Sequence, residues 1–106
     1  MFAFNIYSVY IVTNKPRGVL YTGFTNSLER RTSEHKQEIN EGFTKRYKLH
    51  RLVYYEQFDK PKDGIRREKA IKKWNRAWKI ALIEKHNPHW IDLCEKDGTI
   101  LPLPIE

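Results

Sequence analysis

The sequence predicts a small α/β domain of the α+β kind, in which a three-stranded antiparallel or mixed sheet is flanked by helices in the order β-β-α-β-α-α. Three short runs rich in β-branched and aromatic residues, at 7–12, 19–24 and 52–58, are typical of strands. Two longer stretches, 27–41 and 65–86, contain neither proline nor glycine, as expected of helices. A chain of 106 residues has room for one such domain with a modest core.

The first two strands are predicted to form a hairpin. The turn between them contains Pro16, which fixes φ, and Gly18, which reaches positive φ at low steric cost. Asn26 then resembles a helix N-cap, and Glu29 stands where the acid of a capping box is expected. The helix is predicted to run to Asn40-Glu41-Gly42, with Gly42 as the residue after its C-cap.

The first helix has an unusual inward stripe. Its only large aliphatic residues are Leu28 and Ile39, about three turns apart. Arg31 and His35 lie between them on nearly the same face, because residues three and four apart are neighbours on a helix. This pattern indicates either a solvated surface helix or a face that brings a guanidinium and an imidazole against the hairpin.

Residues 43–51 interleave cations with aromatic residues. Lys45, Arg46 and Lys48 alternate with Phe43 and Tyr47. In nucleic-acid-binding proteins, cations contact phosphates and aromatic faces stack on bases. The alternative is a loop whose aromatic residues pack inward while its cations point to solvent, and the sequence leaves both open.

Residues 65–86 are predicted to be helical, after a charged connection at 59–64 with the helix beginning near Asp63 or Gly64. Asn75-Arg76 is a candidate break into two helices. Trp74 and Trp78 are four residues apart, and core packing is favoured for them over base stacking. The apolar stripe to which they belong consists of Ala70, Ile71, Trp74, Ala77, Trp78, Ala81 and Leu82.

Positive charge is concentrated on this helical segment. Residues 60–79 carry nine cations and two acids, close to the formal net charge of +7 for the whole chain. Such an excess favours a polyanionic partner, although a basic surface that merely confers solubility is the alternative. The cations expected to contact nucleic acid here are Arg67, Lys72, Lys73 and Arg76.

The C-terminal part is predicted to close the domain. Asn87-Pro88 ends the helix, residues 90–93 are expected to pack back as a turn, and the domain is assigned to 1–94 with a tail at 95–106. Cys94 is the sole cysteine, which excludes an intramolecular disulfide and fits a reducing cytoplasm. No apolar run approaches the roughly 20 residues of a membrane span.

The paired tyrosine motifs carry a family resemblance. Ser8-Val9-Tyr10 and, ten residues later, Tyr21-Thr22-Gly23 are followed by Arg31 and His35 at matching intervals. This arrangement resembles the GIY-YIG nuclease superfamily over about residues 5–93, and most of all its small single-domain bacterial members, the YhbQ-type predicted endonucleases. The chain departs from the motif at Ser8, Thr22 and Phe24, and the last replaces a lysine that some members carry.

The resemblance implies a metal ligand on the helix after the third strand. Glu68 falls where the superfamily carries the glutamate that is the sole protein ligand of one divalent ion, Mg²⁺ or Mn²⁺. The alternative role for Glu68 is an ordinary ion pair with Lys72, four residues on. Glu56, in the third strand, is the competing ligand and more in keeping with a structural role.

The resemblance also implies roles for the other site residues. Tyr21 would be the general base that takes a proton from water, Tyr10 would position the site, and Arg31 would hold the phosphate. His35 would assist proton movement or phosphate binding. Asn87 is a weaker assignment, for which Asn75 is the alternative.

These residues and the resemblance lead to the expectation of a metal-dependent endonuclease that hydrolyses DNA phosphodiester bonds. Its cleavage is expected to be structure-selective or weakly specific, with a role in repair or recombination and a protein partner for targeting. The alternative is a nucleic-acid-binding module of the same fold without catalysis, acting on DNA or RNA. A protein-interaction domain with incidental basic charge is the third reading, and it predicts no salt-dependent DNA binding.

Overall fold

The computed structural model describes residues 6–38 and 42–106. Within them the strands are β1 (Tyr7–Thr13), β2 (Leu20–Thr25) and β3 (Arg51–Phe58), and the helices are α1 (Leu28–Lys36), α2 (Phe43–Arg46), α3 (Pro61–Lys73) and α4 (Arg76–His86). The strands form one antiparallel sheet in the order β2-β1-β3. The predicted fold class is therefore confirmed, with the short helix α2 as an addition.

The central strand β1 is buried on both faces of the sheet. Val9 and Ile11 point to one face, where they pack with Ile71 of α3 and Ile83 of α4. Tyr10 and the other even-numbered residues point to the opposite face, which α1 covers. We call the first the core face and the second the α1 face. The alternation follows from the two-residue period of a strand.

The pairing register places the hairpin residues. Tyr10 pairs with Gly23, and Ile11 pairs with Thr22, in the β1–β2 ladder. On the other side, the β1–β3 ladder contains an irregularity between Ile11 and Val12. Because cross-strand partners share a face, Gly23 lies beneath the Tyr10 side chain, and Tyr21 lies two residues along the same face.

Helix α1 differs from its prediction at its start. Its N-cap is Ser27, whose hydroxyl accepts a hydrogen bond from the backbone N–H of Arg30, so the assignment of the cap to Asn26 was wrong by one residue. Asn26 instead accepts a hydrogen bond from the Arg30 guanidinium. The helix ends at Lys36 with Gln37 as its C-cap, earlier than predicted, and the expectations for Ile39, Asn40 and Glu41 lie outside the described residues.

Helix α3 begins at Pro61, before the predicted start near Asp63 or Gly64. Proline suits the first helical position because it has no N–H to leave unpaired and its φ is already helical. Gly64 allows α3 to approach β2 closely, since a Cβ at this position would lie 2.6 Å from Cε2 of Phe24. Phe24 thus points to the core face and not to the α1 face, where Tyr10 and Tyr21 lie.

The predicted break between α3 and α4 is confirmed, and it overturns one prediction about packing. Trp74 is extended (ψ 151°), and Asn75 caps α4 by accepting a hydrogen bond from the N–H of Trp78. Trp74 packs against the core, but Trp78 is 58% exposed. The assignment of Trp78 to the core was wrong because the break resets the helical phase after Trp74.

The residues after α4 return to the sheet, as predicted for 90–93. Trp90 and Leu93 are buried, and the N–H of Leu93 donates to the carbonyl of Leu52. Beyond them, Cys94 and Ile100 form an isolated antiparallel bridge, and the Tyr55 hydroxyl donates to the Leu101 carbonyl. No helix within the described parts of the chain is long and apolar enough to cross a membrane.

Candidate active site

The hairpin brings two tyrosines together on the α1 face. The ring centroids of Tyr10 and Tyr21 are 6.4 Å apart. Tyr10 lies over Gly23 so closely that a Cβ there would be 2.3 Å from its hydroxyl oxygen. Only glycine, which has no Cβ, leaves room for the Tyr10 side chain at this position. Gly23 and Tyr10 are therefore packed directly against each other.

Helix α1 presents His35 to these tyrosines. His35 is 5% exposed, and its Nε2 lies 3.1 Å from the hydroxyl oxygen of Tyr10. Its Nδ1 is buried and has no hydrogen-bond partner among the described residues. Burial, reinforced by the positive charge of Arg31, lowers the pKa of His35 to about 4. The imidazole is consequently neutral at physiological pH.

Tyr10 is held in its protonated form. Burial is the main cause that raises its pKa above the ordinary value for tyrosine, and the Tyr21 hydroxyl and the carboxylates of Glu68 and Glu34 act in the same direction. The guanidinium of Arg31 opposes them. Tyr10 is thus a hydrogen-bonding phenol and not a base at neutral pH.

Arg31 lies on the same helix face, one turn before His35. Its Nε is buried and has no hydrogen bond within the described parts of the chain, although it lies 3.5 Å from a carboxylate oxygen of Glu34. About a third of the side chain is exposed. A guanidinium with donor capacity left over, beside the paired tyrosines, is suited to binding a phosphate.

Glu68 reaches this surface from α3. Its carboxylate oxygen lies 3.3 Å from Nζ of Lys72, which in turn lies 5.8 Å from the centroid of the Tyr21 ring. The negative charge of Glu68 is also one of the causes that raise the pKa of Tyr10. The structure therefore brings together Tyr10, Tyr21, Arg31, His35, Glu68 and Lys72.

The donor set at Glu68 fits the divalent ion implied by the resemblance. The described residues contain no group of three or more His, Cys, Asp or Glu side chains that could hold a metal ion. Mg²⁺, however, is commonly bound through one or two carboxylates, with waters and substrate phosphates completing its shell. Glu68 supplies one mostly buried carboxylate, and its negative charge raises the pKa of the Tyr10 phenol. A bound cation would neutralise that charge.

The cations expected to contact nucleic acid divide into two groups. Lys45, Arg46, Lys48 and Lys73 are exposed. The guanidinium of Arg67, in contrast, donates from Nε and Nη2 to Glu56 at 2.9 Å and lies over the ring of Trp74.

Arg76 is also engaged. It donates from Nη2 to the backbone carbonyls of Arg17 and Gly18, which ties α4 to the hairpin turn.

Asn87 and Glu56 occupy structural positions. The Asn87 amide donates to the carbonyls of Val53 and Ile91 and accepts from the N–H of Ile91. These contacts lie against β3, whereas Tyr21 is on β2 at the other edge of the sheet, so the structure does not bring Asn87 to the tyrosine cluster. Glu56 binds Arg67 and accepts a hydrogen bond from the Tyr54 hydroxyl, as its structural interpretation predicts.

The site also contains a residue that sequence reasoning did not select. The Phe43 ring centroid is 6.1 Å from that of Tyr21, although the two residues belong to different elements. The alternation of aromatic residues and cations at 43–51 was the available signal. It could not show which aromatic residue would lie near Tyr21, because that depends on how the chain returns after α1.

The chain is similar to a known family over most of its length. The family model described as the GIY-YIG catalytic domain matches residues 6–81. The chain belongs to the GIY-YIG family. The matched region contains the two tyrosines and the four residues gathered around them, and the family relation indicates a nuclease-type function.

Relatives that this chain matches over most of their length occur in bacteria and archaea. A UPF0213 protein of Staphylococcus saprophyticus is 36% identical over 77 residues, which cover 73% of this chain and 93% of the relative. A UPF0213 protein of Clostridium perfringens is 39% identical over 75 residues, covering 71% and 80%. One from Halobacterium salinarum is 34% identical over 77 residues, covering 73% and 99%. No solved structure gives a significant match to this chain.

Proposed function

We propose that this chain is a divalent-metal-dependent endonuclease that hydrolyses phosphodiester bonds in DNA. The observation that carries the proposal is the convergence of Tyr10, Tyr21, Arg31, His35 and Glu68 from β1, β2, α1 and α3. Hydrolysis of a phosphodiester requires a base for water, neutralisation of charge on the phosphate and stabilisation of the leaving oxygen. These residues supply the base and the positive charge, and Glu68 supplies a ligand for the ion that would stabilise the leaving oxygen.

The environments of the two tyrosines support a division of labour. Tyr10 is buried, and its raised pKa keeps its proton in place. Tyr21 is partly exposed and lies beside the ammonium group of Lys72, so it is the phenol that water can reach. Tyr21 is therefore assigned as the group that takes the proton from the attacking water, and Tyr10 as the group that positions it.

Arg31 and His35 act on the phosphate and on the phenols. Arg31 binds a non-bridging oxygen of the phosphate, where its charge opposes the charge of the transition state. His35, neutral because burial lowers its pKa, orients the Tyr10 hydroxyl through Nε2. A divalent ion bound by Glu68 would supply Lewis-acid stabilisation of the charge that develops on the phosphoryl group and the leaving oxygen.

The substrate and setting are part of the same proposal. The formal net charge of +7 and the exposed cations Lys45, Arg46, Lys48 and Lys73 favour a polyanion. The family relation favours DNA among polyanions. Structure-selective cleavage in repair or recombination, a cytoplasmic location and a protein partner for targeting extend this proposal.

The decisive experiment is cleavage of supercoiled plasmid, branched DNA and flapped DNA in the presence of Mg²⁺ or Mn²⁺. We expect the unsubstituted chain to cleave, and Glu68→Gln and Tyr21→Phe each to lower the rate by about 10²- to 10⁴-fold while DNA binding is retained. Glu95→Gln and Tyr7→Phe are matched controls, because they make the same chemical changes outside the site and should cleave normally.

Two outcomes would overturn the proposal. Cleavage that survives both site substitutions would contradict the assigned residues. Absence of cleavage on every DNA, together with tight salt-dependent binding, would favour the non-catalytic nucleic-acid-binding module.

A further inference from the structure

A row of aromatic rings leads away from Tyr21. The Tyr21 and Phe43 ring centroids are 6.1 Å apart with their planes inclined by 30°, and those of Phe43 and Tyr47 are 4.7 Å apart. We call Tyr21, Phe43 and Tyr47 the aromatic row. It begins inside the proposed active site and continues along α2 over the surface of the protein.

The outer part of the aromatic row is exposed. Phe43 is 46% exposed and Tyr47 is 41% exposed, whereas Thr44 and Leu49 are the residues that anchor this segment in the core. Large apolar side chains that remain open to solvent beside a site often mark a binding surface. The alternative in which the aromatic residues of 43–51 pack inward is therefore wrong for Phe43 and Tyr47.

Positive charge flanks the aromatic row. Lys45, Arg46 and Lys48 are exposed, and the guanidinium of Arg46 lies 5.6 Å from the centroid of the Tyr47 ring. Beyond Tyr47 lies a cavity of about 480 Å³, to which Lys48 contributes an exposed cation, whereas Lys36 in the same lining is paired with Asp92. Cations therefore accompany the rings from the site outward, in the combination that binds a nucleic-acid strand through phosphates and base faces.

We propose that the aromatic row is a stacking subsite for unpaired nucleotides of DNA next to the scissile phosphate. This inference rests on the proposed function, because it takes Tyr21 as the residue beside that phosphate. Exposed ring faces favour single-stranded over double-stranded DNA as the ligand. Bases within an intact duplex stack on each other and present only their edges in the grooves, whereas unpaired bases offer their faces to aromatic side chains.

The consequence is a preference for substrate with unpaired nucleotides at the cleavage point, such as a single strand, a flap or a frayed end. An uninterrupted duplex could still reach the cations but not the rings. The rings therefore contribute to discrimination between substrates, and the cations contribute affinity for any DNA.

The test uses the full chain carrying Glu68→Gln, so that binding is measured with Mg²⁺ present but without cleavage. The probes are a single-stranded oligonucleotide of about 16 nucleotides that contains 2-aminopurine, and the blunt duplex of the same sequence. Fluorescence of 2-aminopurine reports base stacking directly, and anisotropy gives the affinity. Each variant is first checked by circular dichroism for unchanged folding.

We expect Phe43→Leu and Tyr47→Leu each to weaken binding of the single strand by about 5- to 100-fold, because each removes a ring but keeps apolar volume. Binding of the duplex should change by less than about twofold. Phe43→Tyr should retain single-strand binding, because it keeps the ring. Trp78→Leu removes an aromatic residue outside the row that is even more exposed, and it should have no effect. Lys45→Gln should weaken both probes alike and reduce the salt dependence of both.

Equal losses on single strand and duplex, or full single-strand binding and unchanged 2-aminopurine fluorescence in Phe43→Leu, would overturn the inference. Its failure is distinguishable from failure of the proposed function. If the chain cleaved no DNA but bases still stacked on it in a way that required the rings of Phe43 and Tyr47, only the nuclease proposal would be overturned. Cleavage that depends on Glu68, with no preference for unpaired nucleotides, would overturn only the stacking subsite.

Discussion

The two faces of the sheet bury different chemistry, although the same central strand supplies both. On the core face, Val9 and Ile11 pack against Ile71 and Ile83, all of them fully buried aliphatic residues. On the α1 face, the intervening residue Tyr10 meets an imidazole at hydrogen-bonding distance. A strand that is buried on both sides thus allows stability and chemistry to be placed on alternate residues.

The difference has an energetic meaning. Burial of aliphatic groups stabilises the fold in proportion to the area removed from water, without any geometric requirement. Burial of Tyr10 and His35 requires that each polar atom find a partner, and Nδ1 of His35 has none among the described residues. Substitutions on the core face should therefore act mainly on stability, and substitutions at Tyr10 and His35 should act on activity and pH dependence.

The largest expected effect on stability comes from breaking the core face at Ile71. Ile71→Ala removes buried methyl and methylene groups between α3 and the sheet, which should lower the free energy of unfolding by about 2–5 kcal/mol. Urea denaturation followed by circular dichroism measures this loss. Lys69→Ala on the exposed side of α3 is the control, and it should change stability by less than about 0.5 kcal/mol.

Cleavage per folded molecule should stay normal in Ile71→Ala, because Ile71 packs in the hydrophobic cluster of the core face, whereas Tyr10 and Tyr21 pack in the cluster of the α1 face. A normal free energy of unfolding, or a cleavage defect in the folded fraction, would contradict the separation of the two faces.

A smaller loss of stability but a larger loss of activity is expected at Gly23. In Gly23→Ala the new methyl group would lie 2.3 Å from the Tyr10 hydroxyl oxygen, so the phenol must shift and its contact with Nε2 of His35 is disturbed. Overpacking of this kind costs about 1–3 kcal/mol, and we expect cleavage to fall by more than the folded fraction does. Thr22→Val is the control on the adjacent residue, since Thr22 points to the core face.

If Gly23→Ala cleaved normally, the tight packing of Tyr10 over the strand would have no role in the chemistry. Nuclear magnetic resonance of the His35 imidazole would reveal whether the phenol had moved, independently of cleavage.

The hairpin half of the site could be predicted from sequence, because strand periodicity fixes the face of each residue. Two short strands and a tight turn place Tyr10 and Tyr21 on one face whatever the rest of the chain does. Arg31 and His35 follow from helical spacing for the same reason. Local rules stop at this shared helix face, because the contact between His35 and Tyr10 joins residues that are 25 apart in the chain.

The parts that sequence could not predict depend on packing between distant elements. Arg67 is engaged with Glu56 because α3 crosses β3 at that point, and no spacing along the chain reveals this crossing. Trp78 is exposed because the extended conformation at Trp74 changes the helical phase. Phe43 reaches Tyr21 only through the return of the chain after α1. Charge and periodicity can be read from a single segment, whereas these contacts depend on how two distant segments pack together.

The smallest expected difference between the two faces is the pH dependence of the free energy of unfolding, to which His35 on the α1 face contributes. Its pKa in the folded protein is about 4, below the ordinary value of 6.5, chiefly because burial disfavours the charged imidazole. Above pH 6.5 both the folded and the unfolded chain carry a neutral His35, and the full stability is present. As the pH falls below 6.5, only the unfolded chain takes up the proton, so the free energy of unfolding decreases until about pH 4.

The decrease due to His35 should be on the order of 2 kcal/mol between pH 7 and pH 4. His35→Gln keeps a neutral side chain that can hydrogen-bond to Tyr10 but cannot titrate, so urea denaturation of the variant should show a shallower acid dependence. Other groups titrate in both proteins, and the difference between the two curves isolates His35. Identical acid dependence would mean that His35 takes up its proton as readily in the folded chain as in the unfolded chain, which would contradict the lowered pKa.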